Sequence, residues 1–107
     1  MILEHIILDV APEQAEAFVE AFRQASPIIA ATDGYIRHEL NRCLETPGRF
    51  VLLVQWDTLE AHMVNFRQSP AYEQWRAALH HFYVNKPLVE HFELAYAHAR
   101  RLDSRKR

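Results

Sequence analysis

With 107 residues, the chain has the length of one domain. Half of its residues are hydrophobic and the formal net charge at pH 7 is −2, which argues against a general nucleic-acid-binding protein. Cys43 is the only cysteine, so an internal disulfide is excluded. The start, MILEHIILDV, has Glu4 inside its apolar run and lacks the basic region of a signal peptide, and no apolar run reaches membrane-spanning length. We therefore expect a cytoplasmic protein with neither nucleic acid nor membrane as a partner.

The first predicted elements are a strand and a helix. Residues Ile2 to Val10 carry apolar side chains on both faces, as in a strand of a sheet that is covered on both sides. Pro12 suits the first turn of a helix, whose apolar stripe follows at helical spacing: Ala15, Phe18, Val19 and Phe22. Ser26-Pro27 predicts the end of this helix, because proline cannot donate to the helical ladder. Ser26 is suited to cap a short second piece that stops before Gly34.

A β-hairpin is predicted next. Residues Tyr35 to Leu44 form the first strand candidate. Thr46-Pro47-Gly48 then places proline and glycine at the positions that a type II turn favours. Residues Phe50 to Trp56 follow as a β-branched and aromatic run, which predicts the returning strand.

Two helices and a last strand complete the predicted order. Thr58 is suited to cap a helix over Leu59 to Arg67, and Ser69 to cap a helix that begins with Pro70. The apolar stripe of the second of these helices consists of Ala71, Trp75, Ala78, Leu79 and Phe82. A proline ends that helix, and Leu88 to Tyr96 is the last predicted strand.

The order β-α-β-β-α-β predicts an α+β fold of the split ferredoxin-like type over residues 1–99, followed by a basic C-terminal tail over residues 100–107. Helices on one face of a four-stranded antiparallel sheet leave its other face bare. The sequence has more apolar strand residues than one helical layer covers, among them Leu40, Val51, Leu53 and Phe92. A second copy stacked on the bare face would bury them, so we expect a homodimer.

His62 is the strongest catalytic candidate among the seven histidines. On a regular helix it shares one face with Leu59, Met63 and Phe66, so its imidazole points toward the sheet among apolar neighbours. Loss of water lowers the pKa of such a histidine and favours the neutral base, which is suited to take a proton from a phenol or quinol. The alternative is a partly buried histidine that is hydrogen-bonded to a backbone carbonyl.

Three other histidines leave alternatives open. His38 lies mid-strand and lines either the pocket or the dimer interface, depending on which face of the strand the helices cover. His80 and His81 are adjacent on a helix and about 100° apart, so they cannot both serve one small site. His81 is the nearer of the two to the apolar stripe, and Tyr83 follows it.

Metal ligands and aromatic residues give weaker signals. His91 and Glu93 share a strand face, but H-x-E alone is a fragment of a metal site, and no further ligand pair supports it, so we expect no metal. Trp56 and Trp75 are expected to pack in the core. Either indole is also suited to floor a cavity for a flat aromatic ligand.

The stretch from Gly34 to Glu93 resembles a known family. A hairpin leads into the Trp-ended strand FVLLVQW, then into DTLEAHMVNFRQSPAYEQW with its histidine and Ser-Pro helix start, and finally into VEHFE. This order resembles the antibiotic biosynthesis monooxygenase family, which comprises dimeric α/β barrels of ferredoxin-like fold. The resemblance implies oxidation of a small aromatic phenol or quinol by O₂ without a cofactor, in a cavity between helices and sheet. It implies catalytic roles for His62, His81 and Tyr83, and substrate binding by His38, Trp56, Phe66 and Trp75.

The chain also departs from the family pattern. Haem-degrading relatives have an asparagine on the first strand, and a tryptophan and a histidine on the later helices. Here the first strand has no asparagine, and Phe66 and Arg76 stand at the two helical positions. Haem degradation is therefore not expected. Two alternatives to an oxygenase remain, a non-catalytic dimeric protein that binds a small apolar ligand and a protein that binds haem through one histidine.

Overall fold

A computed structural model describes residues 1–100, so the predicted basic tail lies outside the described residues apart from Arg100. Two short 3₁₀ turns, over residues 12–14 and 80–82, flank the helices. No helix within residues 1–100 is long and apolar enough to cross a membrane. The main elements are β1 (Ile2–Asp9), α1 (Ala15–Ala30), β2 (Tyr35–Arg42), β3 (Arg49–Trp56), a π-helical segment (Ala61–Phe66), α2 (Pro70–Leu79) and β4 (Leu88–Glu93).

The four strands form one antiparallel sheet in the order β2-β3-β1-β4. Helices α1 and α2 pack together on one face, where the side chains of β1 and β3 alternate buried and part-exposed. This is the predicted ferredoxin-like α+β fold, which is confirmed. The core between the helices and the sheet is rich in aromatic residues, including Phe18, Phe22, Phe50, Trp56, Phe66 and Trp75.

Helix α1 does not end at Ser26-Pro27 as predicted, since it continues to Ala30 with Pro27 inside it. The Oγ of Ser26 donates to the carbonyl of Phe22 at 2.9 Å rather than capping a new helix. Interior proline costs a helix about 3 kcal/mol. Ile29, two residues later, is almost fully buried, and burying such a side chain stabilises by roughly 1.5–3 kcal/mol. Packing on the sheet therefore offsets most of the cost of the local helix breaker.

The predicted turn and helix start are confirmed. Gly48 has φ +82°, and the N–H of Arg49 donates to the carbonyl of Thr46 at 3.1 Å, as a type II turn requires. The Oγ of Ser69 accepts from the N–H of Tyr72 at 3.3 Å and caps α2. Strand ends are less well predicted, because β2 and β4 stop two and three residues before the expected positions.

Among residues 1–100, no helix covers the second face of the sheet, which is called the uncovered face below. As predicted, Val51, Leu53 and Phe92 lie on it, with Leu3 and Ile7 of β1 beside them in the strand register. Leu40 does not, because it pairs with Leu52 of the core and packs against the helical layer. The pairing of β2 with β3 shifts in register between Tyr35 and Arg37, and this shift decides which side chains of the edge strand β2 face the helices. The sequence of β2 does not indicate the shift.

The backbone at Gly34 packs closely against Ala61 of the π-helical segment, and this close contact gives a first prediction. It has φ +90°, and a Cβ built there would lie 2.6 Å from the Cβ of Ala61. We expect Gly34→Ala to lower the free energy of unfolding by about 2 kcal/mol, from backbone strain and this overlap together. Urea denaturation measures the change. Asp33→Ala, at an exposed neighbouring side chain, is the control and should change stability by less than about 0.5 kcal/mol. Equal effects of the two variants would contradict the prediction.

Candidate active site

The π-helical segment positions the central side chain of the site. The Oγ1 of Thr58 accepts from the N–H of Ala61 at 3.1 Å, and the N–H of Arg67 donates across the widened turn to the carbonyl of His62 at 3.0 Å. Such π turns occur frequently at functional sites. His62 is only 2 % exposed, and Phe66 is buried beside it. Met63 is exposed, so the expectation that it shares the buried face is wrong.

Leu59, which precedes the π-helical segment, is also exposed, contrary to the prediction from regular helical spacing. The wider turn changes which residues point at the sheet. Of the four residues expected on one buried face, the structure therefore buries only His62 and Phe66.

His62 is the middle member of a chain of three ionisable side chains, called the Glu–His–His chain below. Its Nε2 lies 3.1 Å from Oε2 of Glu4, and its Nδ1 lies 2.7 Å from Nε2 of His91. Glu4 on β1 and His91 on β4 are register partners in adjacent strands, which brings both beneath the π-helical segment. Glu4 is 6 % exposed, whereas His91 is part-exposed.

Trp56 holds the other side of the same carboxyl group. Its Nε1 donates to Oε1 of Glu4 at 2.9 Å, and its ring stacks on the imidazole of His62 with centroids 5.4 Å apart and an interplanar angle of 23°. Both oxygens of Glu4 and both nitrogens of His62 therefore have partners. Indeed, no buried side-chain nitrogen or oxygen in residues 1–100 lacks a hydrogen bond.

Burial favours the neutral form of each side chain in this chain. It raises the pKa of Glu4 to about 7, against smaller opposing effects of the Trp56 N–H and the Arg67 guanidinium. Burial first, and then the charges of His91 and Arg67, lower the pKa of His62 to about 3. Burial, and then Arg67, lowers the pKa of His91 as well. Between about pH 3 and pH 7, Glu4 and His62 are therefore a neutral hydrogen-bonded pair and not an ion pair.

A cavity of about 70 Å³ lies between the sheet, the π-helical segment and α2. It has room for O₂ or a few water molecules, whereas pockets for larger organic ligands measure about 300–1,000 Å³. An aromatic ring would need exposed groups at its rim to move, among them Arg67, whose guanidinium lies 5.0 Å above the ring of Tyr72. The polar side chains that line the cavity are Glu4, His62, Arg67, Tyr72, His80 and Tyr83.

Several of the predicted site residues converge here. Phe66, Trp75 and Tyr83 line the cavity together with His62. Trp56 is fully buried and lies behind the imidazole, where it supports His62 and Glu4. Burial raises the pKa of Tyr83 well above its usual range, and the neighbouring Tyr72 adds to this, so the Tyr83 phenol stays protonated.

Two predicted site residues lie elsewhere. His38 faces α1, where its Nε2 lies 2.9 Å from Oγ of Ser26 and its Nδ1 contacts the hydroxyl of Tyr35, so it joins α1 to β2 and does not line the cavity. His81 is exposed and packs on Phe82. Its neighbour His80 lines the cavity in its place, because the helix gives way to a 3₁₀ turn at this point and the side-chain directions change.

Comparison with known proteins agrees with this architecture. The model of the antibiotic biosynthesis monooxygenase family matches residues 1–78. This chain belongs to that family. The uncharacterized protein YczJ of Bacillus subtilis is 45% identical over 93 residues, which cover 87% of this chain and 98% of YczJ.

Two solved structures have the same fold as this chain. A structure from Bordetella bronchiseptica that is named after the family has a TM-score of 0.85 at 32% identity, over 89% of this chain and 97% of that one. A mutant of SnoaB, a cofactor-independent oxygenase from Streptomyces nogalater, has a TM-score of 0.75 at 18% identity, over 90% and 94%. The second similarity shows the fold alone.

Within this family fold, sequence reasoning missed Glu4 and misread His91. Every second side chain of β1 from Glu4 onward is buried, so Glu4 faces the core with Ile6 and Leu8. This alternation of the strand is the sequence signal that indicates a buried Glu4. The sequence pattern relates His91 only to Glu93, as a fragment of a metal site. Its actual partner, His62, lies 29 positions away and is brought near by strand pairing and by the π-helical segment.

The Glu–His–His chain is linear and does not form a metal cage. The two nitrogens of His62 point in opposite directions, one to Glu4 and one to His91, so the three side chains do not converge on one point. In residues 1–100 no group of three histidine, cysteine, aspartate or glutamate side chains is arranged to hold a metal ion. Since both nitrogens of His62 are hydrogen-bonded, this imidazole has none free to ligate haem iron.

The raised pKa of Glu4 gives a second prediction. Folding raises this pKa from 4.5 to about 7, so the stabilising contribution of Glu4 is complete below pH 4.5 and is lost as the pH rises through 7. Glu4→Gln keeps the size of the side chain and an acceptor for Trp56 but does not ionise. We expect the stability of the variant relative to wild type to rise by about 3 kcal/mol between pH 4 and pH 8, measured by urea denaturation.

The exposed Glu13 provides the matched control. Glu13→Gln should change stability by the same amount at both pH values. If Glu4→Gln behaves in the same way as Glu13→Gln, the Glu4 carboxyl is not held neutral by burial.

Proposed function

We propose that this protein oxygenates a small aromatic phenol or quinol with O₂ and without a cofactor, and that His62 is the centre of its proton-accepting group. The observation that carries the proposal is the buried, hydrogen-bonded Glu4–His62 pair in the wall of a largely apolar cavity, in which the ionised carboxyl of Glu4 accepts a proton near neutral pH. Membership of the antibiotic biosynthesis monooxygenase family supports an oxygenase. The similar fold of SnoaB, a cofactor-independent oxygenase, is consistent with chemistry that needs no bound group.

The chemistry needs little beyond a base and a dry site. Loss of its proton turns an electron-rich phenol into an anion that can give an electron to O₂. A phenol with a free para position then becomes a quinone, as one oxygen atom enters the ring and the other leaves as water. The substrate supplies all four electrons, so no external reductant is required. The protein has to accept a proton, stabilise the anion and exclude water.

The residues around the cavity suit these three tasks. The low pKa of His62 keeps its imidazole neutral, and because both its nitrogens are hydrogen-bonded, a proton that the pair accepts resides on the carboxyl of Glu4. The guanidinium of Arg67 at the rim is the nearby positive charge for a phenolate. Phe66 and Trp75 provide apolar walls. Because the cavity is small, we propose that Arg67 and Tyr72 move apart when the ring enters.

Oxygen uptake is the third prediction and the direct test of this function. Purified, metal-free protein should consume O₂ with at least one member of a panel of quinols and polyhydroxylated aromatics. His62→Gln should reduce uptake by roughly 10²–10⁴-fold, the usual effect of losing a general base. His81→Gln is the matched control because it changes an exposed histidine outside the cavity, and it should leave uptake unchanged.

Two outcomes would contradict the proposed function. Uptake that survives in folded His62→Gln would remove His62 from the proton-accepting group. No uptake across the panel, with saturable binding of one compound, would favour a non-catalytic protein that binds a small ligand.

We propose further that two copies associate through the uncovered face. The apolar side chains of that face, Leu3, Ile7, Val51, Leu53 and Phe92, have no covering layer within residues 1–100. The segment after β4 adds Leu94, 71 % exposed, and Tyr96, 80 % exposed. Contiguous apolar surface of this kind marks an interaction site in soluble proteins, and a two-fold dimer would place each face against itself.

The oligomeric state gives the fourth prediction. Light scattering after size-exclusion chromatography should give the mass of two chains for wild type. Leu53→Lys, in the middle of the uncovered face, should give a folded monomer, because a dimer would bury its charge. Val64→Lys, at an exposed position of the π-helical segment, is the control and should remain a dimer. A monomeric wild type would refute the proposed association.

A further inference from the structure

We infer that the Glu–His–His chain is a proton relay, in which His62 and His91 exchange tautomers together to carry one proton between the buried Glu4 carboxyl and the protein surface. The relay deepens the proposed function, and its use in catalysis rests on that function. The switch itself belongs to the resting protein and can be observed without substrate.

The relay follows from the order of the contacts. Glu4 Oε2 is 3.1 Å from Nε2 of His62, and Nδ1 on the opposite side of the same ring is 2.7 Å from Nε2 of His91. Each contact joins two atoms that share a single proton. A neutral imidazole carries one N–H and one acceptor nitrogen, so the proton position in the first contact decides the proton position in the second.

Only two arrangements satisfy both contacts with neutral imidazoles. With Glu4 protonated, Oε2–H donates to Nε2 of His62, the Nδ1–H of His62 donates to Nε2 of His91, and His91 keeps its own proton on Nδ1. With Glu4 ionised, the Nε2–H of His62 donates to Oε2, the Nε2–H of His91 donates to Nδ1 of His62, and Nδ1 of His91 is bare. The change moves two protons along the chain and releases a third from Nδ1 of His91, so one proton leaves in total.

Burial gives the relay its direction. Glu4 and His62 are 6 % and 2 % exposed, so neither exchanges protons freely with bulk water. His91 on the edge strand β4 is part-exposed and is the accessible member of the three. A substrate in the cavity would block the other route from Glu4. The chain through His91 would then be the path by which a proton taken at the carboxyl leaves.

Trp56 keeps the relay aligned. An indole N–H can only donate, so Oε1 of Glu4 must accept from it in both arrangements, and Oε2 remains directed at His62. The stacked indole also holds the plane of the His62 ring. The two arrangements therefore differ in proton positions and need no movement of the heavy atoms.

The surrounding charges set the pH at which the switch occurs. Arg67, at the end of the π-helical segment, lowers the pKa of all three members and so favours ionised Glu4 and neutral imidazoles. The other titratable groups that face the cavity are Tyr72, His80 and Tyr83. With the pKa of Glu4 raised to about 7, the switch falls near neutral pH.

The fifth prediction tests the relay by ¹⁵N NMR of histidine-labelled protein across a pH series on either side of neutrality. The ring-nitrogen shifts of His62 and His91 report their tautomers. We expect both rings to change from the Nδ1–H to the Nε2–H form with one common midpoint.

Glu4→Gln should lock the relay. Because the Trp56 N–H requires an acceptor, the amide oxygen of the glutamine should face it, and the amide N–H₂ should face Nε2 of His62. Both histidines should then keep the Nδ1–H form across the pH range in which the wild type switches. Separate midpoints for His62 and His91 in wild type, or a switch that survives in Glu4→Gln, would overturn the inference. Failure of oxygen uptake with a concerted switch would reject the proposed oxygenase and leave the relay standing.

Discussion

The buried carboxyl of Glu4 is the constraint on which the site depends. A polar group in the middle of the covered face of the sheet is tolerated only when its hydrogen bonds are made, and leaving one unmade costs about 1–3 kcal/mol. Trp56 satisfies one oxygen and His62 the other. Trp56 belongs to β3 and His62 to the π-helical segment. The hydrogen bonds of one carboxyl on β1 therefore hold these three elements in position relative to one another.

The π turn is the local means of meeting that constraint. The hydrogen bond from the N–H of Arg67 to the carbonyl of His62 widens the backbone, so that His62 and Phe66 both face the sheet while Met63 faces outward. Gly34, in the turn before β2, allows that turn to pack closely against the π-helical segment, since any Cβ at this position would overlap Ala61. The space left between this widened turn and α2 is the cavity, so the element that satisfies Glu4 also shapes the volume beside it.

The fold was predictable from local signals, whereas the site was predictable only in part. Strand alternation, Gly48 in its turn and Ser69 at its helix start are local, and they gave the element order. The continuation of α1 past Pro27 depends on packing that a breaker rule does not include. His62 was identified by its apolar surroundings. Its partners Glu4 and His91 depend on strand register and tertiary placement, which a single sequence does not encode in any short pattern.

In a water-excluded cavity, the burial that strengthens a carboxylate as a base also makes its negative charge costly. Burial that makes a carboxyl basic enough to accept a proton near neutral pH also makes its charged form costly, and a charged imidazole beside it would cost as much again. Two neutral rings in series with Glu4 resolve the conflict, because a change of tautomer moves a proton without leaving a charge on either ring. Arg67 at the rim then offsets the one negative charge that remains, whether it resides on Glu4 or on a phenolate in the cavity. The arrangement thus favours proton exchange while keeping the number of buried charges at one.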